Sequence, residues 1–202
     1  MSLKDGPLLF SDVVSLVLNP SLLTGIFFCV LATKVEPLGV QQPAMGLLAF
    51  VFATLVPVGI LFALKARGAL SDVEMSIRTE RERVYCLCAA GYAVGAALLY
   101  LAGATWQMWG LLAFHVPNTF LLVWMNRTLK VSIHTMVLSY LWMAAMYLLG
   151  SATAPLGLLV PVAGWARWDA GNHSVPELLV GAWIGITLAP VEIAALRTFL
   201  GS

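Results

Sequence analysis

The sequence predicts an all-α protein that crosses a membrane several times, and three observations support this fold class. Of its 202 residues, 60% are hydrophobic and only 10% are charged, whereas a soluble domain carries about 25% charged residues. The mean hydropathy is +0.91. The apolar residues also fall into runs close to the length of about 20 residues that a transmembrane helix needs. This pattern excludes a disordered chain, a coiled coil and an ordinary soluble domain. We expect residues 1–202 to form a single integral membrane domain.

The apolar runs predict a polytopic transmembrane helical bundle with six to seven hydrophobic segments. Each segment is predicted to be helical because lipid offers no partner for backbone N–H and C=O groups. The first segment contains Asn19-Pro20, where we expect an interfacial piece or a kinked start because proline removes a backbone donor. The sixth segment is short for a full crossing, which indicates a tilted or partly inserted helix. In order, the segments are 13–33, 44–64, 84–104, 107–125, 133–150, 154–166 and 178–197.

Charge divides unevenly between the two faces of this bundle. If every segment crosses, nine of the eleven cations lie on one face, whereas Lys34 and Arg197 lie on the other. The positive-inside rule predicts that the cation-rich face is cytoplasmic. The net charge of +1 argues against nucleic acid as a partner, because binding to a phosphate backbone needs a strongly basic surface. The nine cations are Lys4, Lys65, Arg67, Arg78, Arg81, Arg83, Arg127, Lys130 and Arg167.

Three polar clusters lie on the cation-rich face. The first is residues 71–83, which include Arg78, Arg81 and Arg83; the second is residues 130–134, Lys-Val-Ser-Ile-His; and the third is residues 167–177. Their arginines and lysines, with a hydroxyl and free N–H groups at a helix start, suit a bound phosphate.

Two histidines in these clusters suggest a reaction on that phosphate. A neutral histidine can attack phosphorus, and Glu177, four residues after His173, is placed to orient its ring. A second histidine, His134, can protonate the departing oxygen. No metal-binding spacing is present, so we expect neither a metal nor another cofactor.

These residues resemble the signatures of a known family. Ser132-x-His134, followed by Arg167-x5-His173 and then by Pro176 and Glu177, is similar to the second and third signatures of the type 2 phosphatidic acid phosphatase superfamily. That superfamily contains lipid phosphate and isoprenoid diphosphate phosphatases. The resemblance implies that His173 is the nucleophile and His134 the general acid. It also implies that Arg167 and Ser132 bind phosphate, with Lys130, Arg78, Arg81 and Arg83 as further candidates.

The chain departs from the family pattern at three points. The first signature of the family is a lysine, six residues and Arg-Pro, whereas residues 78–83 hold three arginines without that lysine or proline. Ile133 stands where the second signature usually has glycine, and Glu177 stands where aspartate is common. The substrate class therefore stays open between a phosphatidate-like lipid and a polyprenyl phosphate or diphosphate.

Two other functions and several structural interpretations compete with this hypothesis. A transporter or binding scaffold could hold a phosphorylated lipid head group without cleaving it, and a structural subunit could carry a degenerate site. The arginines of residues 78–83 alternate with Glu80 and Glu82, as in a solvated charge run. Gly181 and Gly185 favour close helix packing. We expect His115, near Pro117, to be neutral and bonded to a neighbouring helix, and Glu192 to be paired or interfacial.

Overall fold

The computed structural model describes residues 9–71 and 78–200, and for residues 78 and 79 it describes the backbone only. Over these ranges the chain is helical and contains no strand, which confirms the predicted all-α class. The helices are α1 Phe10–Val17, α2 Pro20–Val35, α3 Gln41–Phe50, a π-helical turn Val51–Leu55, α4 Val56–Ala66, α5 Arg78–Leu101, α6 Trp106–Met125, α7 Ile133–Leu148, a 3₁₀-helix Ser151–Leu158, α8 Leu159–Asp169 and α9 Val175–Leu200.

Five helical stretches of the described chain are long and apolar enough to cross a membrane. This agrees with a multi-pass membrane protein but not with the predicted count of six to seven. Helix α7 has only 16 residues, and the predicted sixth segment, 154–166, divides into the 3₁₀-helix and α8. Gly150, at a φ of 101°, turns the chain after α7. The five stretches are Phe10–Val35, Gln41–Ala66, Glu80–Leu101, Trp106–Met125 and Val175–Leu200.

The predicted break at Asn19-Pro20 is present. Helix α1 ends at Val17 and α2 begins at Pro20. The side chain of Asn19 accepts a hydrogen bond of 3.1 Å from the backbone N–H of Leu22 and so caps α2. Pro20 is tolerated in the first turn, where its missing N–H would have no helical partner. The break makes α1 a separate short helix.

Helices α7 and α9 run parallel and begin at the same end of the bundle. The backbone N–H of Ser132, the residue before α7, donates to the carbonyl of Glu177 at 3.3 Å. One turn further along, the Thr135 hydroxyl donates to the Leu178 carbonyl at 2.9 Å. At the opposite end, the Arg197 guanidinium donates to the Tyr147 carbonyl at 3.3 Å. The loops that precede α7 and α9 are therefore neighbours, although 43 residues separate the bonded positions in sequence.

A candidate phosphate site at the start of helices α7 and α9

Two glycines of α9, which have no side chain, allow α7 and α9 to lie this close. A Cβ added to Gly181 would lie 2.6 Å from the Ser132 carbonyl oxygen, and one added to Gly185 would lie 2.7 Å from the Tyr140 backbone nitrogen. Contacts this short are not found between real Cβ atoms and their neighbours. The predicted packing role of the two glycines is confirmed, and it holds the second and third polar clusters together.

His173 and Glu177 form the contact that their spacing predicts. The Nδ1 atom of His173 lies 3.3 Å from Oε2 of Glu177, and the same oxygen accepts a hydrogen bond of 2.9 Å from the Ser174 backbone N–H. The His173 backbone N–H in turn donates to the Arg167 carbonyl at 3.2 Å, so the end of α8 folds the loop back. The Glu177 carboxylate thus orients the ring at Nδ1, and the Arg167 carbonyl fixes the backbone of His173.

Two cations flank the His173 ring. The Lys130 ammonium donates to the Asn172 carbonyl at 2.9 Å, and Arg167 lies in the last turn of α8. Burial of the ring, followed by the charges of Lys130 and Arg167, lowers the pKa of His173 from 6.5 to about 4, although the Glu177 carboxylate acts in the opposite direction. His173 is therefore neutral at pH 7, the form in which an imidazole is a nucleophile.

His134 joins this group from the first turn of α7. Its ring lies within electrostatic reach of both Arg167 and His173. The backbone of Ser15 in α1 lies close to the ring and acts to raise the pKa of His134. This direction fits a backbone acceptor beside one ring nitrogen, which leaves the other ring nitrogen for a ligand. The structure thus brings His134, Arg167 and His173 together, and the sequence predicted all three in one site.

Ser132 is completely buried, with 0% of its surface exposed. Its hydroxyl makes no cap bond to α7 and has no hydrogen-bond partner among the described residues. A buried hydroxyl without a partner costs free energy, so its position suits a group that arrives with the ligand.

The three arginines of the first cluster differ in their surroundings. Arg81 is 7% exposed and donates to Oδ1 of Asn126 at 3.1 Å, whereas Arg83 is exposed. The Arg78 side chain and residues 72–77 lie outside the described part of the chain. A phosphate-binding role for these arginines stays a prediction, and of the two whose side chains are described, Arg81 is the buried one.

Sequence analysis did not single out two buried serines in α1. Ser11 and Ser15 of α1 are 1% and 7% exposed, and neither hydroxyl has a partner among the described residues. Their spacing of four residues puts both on one helix face, opposite the exposed apolar residues Phe10 and Val17. The Ser-x3-Ser pattern was a usable signal, but it lies at the edge of the first apolar segment, where we expected no part of the site.

A second polar group lies deeper in the bundle. Nδ1 of His115 lies 2.8 Å from the Leu111 carbonyl of its own helix, rather than bonding to a neighbouring helix as we expected. Glu192 is 4% exposed and accepts a hydrogen bond of 2.7 Å from the Tyr140 hydroxyl, so it is paired. His115 and Tyr140 line a cavity of about 140 Å³ that reaches Ile133, the neighbour of Ser132.

Among the described residues, no group of three or more His, Cys, Asp or Glu side chains is arranged to hold a metal ion. The groups that the described residues bring to the site are histidines, cations, hydroxyls and the Glu177 carboxylate. No family model, curated protein or solved structure matches this chain.

Proposed function

We propose that this protein is a membrane-embedded, metal-independent lipid phosphate phosphatase of the kind its second and third signatures resemble. The observation that carries the proposal is the buried, neutral His173, oriented by Glu177 and flanked by Lys130 and Arg167. The substrate is a phosphomonoester or diphosphate of a lipid, phosphatidate-like or polyprenyl-like. Its head group enters the site at the end of the bundle while its tail stays in the bilayer.

The first chemical step is attack on phosphorus by His173. With the Nδ1 proton directed to Glu177, the Nε2 lone pair forms the N–P bond as the bond from phosphorus to the lipid oxygen breaks. The carboxylate stabilises the positive charge that develops on the ring. His134 gives a proton to the departing lipid oxygen, from the ring nitrogen that does not face Ser15. The products of this step are a lipid alcohol and a phosphohistidine.

The second step returns the enzyme to its starting state. His134, now neutral, takes a proton from water, and the resulting hydroxide attacks phosphorus as the N–P bond breaks. Inorganic phosphate leaves, and His173 recovers its lone pair. Arg167, Lys130 and Ser132, with one or more of the first-cluster arginines, stabilise the negative charge on the phosphate oxygens in both steps.

The proton on His134 depends on the substrate. Burial of the ring, followed by the charge of Arg167, lowers the pKa of His134 while the site is empty. A phosphate dianion between the two groups offsets the repulsion from Arg167, because opposite charges attract strongly in a site without water. Substrate binding and protonation of His134 are therefore coupled.

The test is the variant His173→Ala, assayed for phosphate release from phosphatidate and from a polyprenyl phosphate without added metal. We expect turnover to fall by about 10³-fold or more, as for loss of other catalytic nucleophiles. His115→Ala is the matched control, because it removes a buried histidine outside the site. The wild-type protein should also form an acid-labile phosphohistidine. Undiminished turnover in His173→Ala refutes the mechanism, and lipid binding without any phosphoenzyme would indicate the transporter or scaffold instead.

A further inference from the structure

Helix α1 carries two buried hydroxyls that no other described residue uses. Ser11 is 1% exposed and Ser15 is 7% exposed, yet neither oxygen has a hydrogen-bond partner among the described residues. Buried hydroxyls are normally hydrogen-bonded, because leaving one unpaired costs free energy. Serine in a short helix could satisfy itself by bonding to a carbonyl of its own preceding turn, as Thr24 does in α2 with the carbonyl of Pro20. Ser15 makes no such bond to the described part of the chain, and the turn that would precede Ser11 lies outside the described residues.

The position of α1 relative to α7 shows where these hydroxyls lie. Leu18 packs in one apolar cluster with Leu138 and Ala163, and the Ser15 backbone lies close to the His134 ring. The first residues of α1 therefore lie nearest the first residues of α7, and the two helices run in the same direction. Ser11 lies one further turn, about 6 Å, towards the end of the bundle. That is the level of the loop that begins α7 and contains Lys130.

The contact between α1 and α8 indicates the same position for the start of α1. The rings of Phe10 and Trp165 lie 6.1 Å apart, and Trp165 is two residues before Arg167. The start of α1 is therefore beside the cationic end of α8. The opposite face of α1 is apolar and exposed, with Phe10 73%, Leu16 59% and Val17 62% exposed. In a bilayer this face meets lipid, so the serine face is the one turned to the protein interior.

We propose that α1 is a wall of the phosphate site and that the Ser11 and Ser15 hydroxyls donate hydrogen bonds to oxygens of the bound phosphorylated head group. The inference rests on the proposed function, since it assigns two further ligand contacts to that site. Ser132, two positions before His134, carries a third hydroxyl without a partner among the described residues. A phosphate has enough acceptor oxygens to satisfy all three hydroxyls in addition to the cations.

The test measures binding of inorganic phosphate to the detergent-solubilised protein, together with its thermal unfolding in the absence of phosphate. In Ser11→Ala and Ser15→Ala we expect the phosphate Kd to rise about tenfold each, the effect of one hydrogen bond to a charged acceptor. Their unfolding temperature without phosphate should be no lower than that of the wild type, because an unpaired hydroxyl contributes no stability. A purely structural role would lower stability and leave the Kd unchanged.

Ser139→Ala is the matched control. The Ser139 hydroxyl is buried in the same bundle but donates within 3.0 Å to carbonyls that include that of Ala182. We expect this variant to lose stability and keep its phosphate Kd. Ser11→Cys and Ser15→Cys provide a second test, because a thiol has a similar size but is a weak donor, so they should weaken binding in the same way.

The outcomes separate this inference from the function on which it rests. If the wild type binds phosphate and the Ser11 and Ser15 variants bind it equally well, the proposed wall is wrong, whereas the phosphatase proposal stands on the His173→Ala result. If the wild type does not bind phosphate and His173→Ala releases phosphate normally, both proposals fail. A rise in Kd confined to the α1 variants supports both.

Discussion

Replacing Gly181 by alanine tests whether the α7–α9 contact sets the geometry of the site. The new Cβ would lie 2.6 Å from the Ser132 carbonyl oxygen, against 3.4 Å or more for an ordinary contact. The two helices must therefore separate by about 0.8 Å at this point, since the carbonyl is fixed in the backbone. That shift acts directly beside Ser132 and Glu177, whose backbones are bonded across the contact.

Two measurements follow from this displacement. Overpacking of this kind costs about 1–3 kcal/mol, which thermal or denaturant unfolding in detergent would detect. A misplacement of about 1 Å in a catalytic site costs about 10²-fold in rate, so we expect turnover of a lipid phosphate to fall by one to two orders of magnitude in folded Gly181→Ala. Gly59→Ala is the control, because a Cβ at Gly59 meets nothing within 4 Å. Wild-type stability and turnover in Gly181→Ala would refute the reasoning.

Two further predictions concern titration and the deeper polar group. The pKa of His173 is about 4 in the folded protein and 6.5 ordinarily. Between these pH values the unfolded chain binds a proton at His173 and the folded protein does not. The free energy of unfolding should therefore decrease as the pH falls from about 6.5 to about 4. His173→Gln should show a shallower decrease, and an equal one would contradict the assignment. Tyr140→Phe removes the donor to buried Glu192, so unfolding should cost about 1–3 kcal/mol less. The exposed Tyr100→Phe should change nothing, and equal stability of the two variants would argue against the pair.

The parts of this protein that were predictable from sequence are those with a local physical cause. The helical class follows from the lack of backbone partners in lipid. The contact of His173 with Glu177 follows from a spacing of four residues at a helix start, and the break at Asn19 follows from its cap and the following proline. Each of these depends on residues within one or two turns of each other.

The parts that were not predictable depend on residues far apart in sequence. No periodicity connects Ser15 with His134, so the position of α1 beside this ring was not predictable. The described chain supports five candidate spans rather than six to seven, because α7 ends at Leu148 and the chain then turns at Gly150 into a 3₁₀-helix. Arg81 and Arg83 are two positions apart, about 200° around a helix, but only packing shows that Arg81 is the buried one.

The parallel arrangement of α7 and α9 has a consequence for how salt affects the protein. Each helix carries about half a positive charge at its N-terminus from its aligned peptide dipoles, and two parallel neighbours place these ends side by side, where they repel each other. Lys130 and Arg167 add to the same positive potential. Ions in solution screen such repulsion, so we expect the empty protein to become more stable as ionic strength rises, the reverse of a fold held by surface ion pairs.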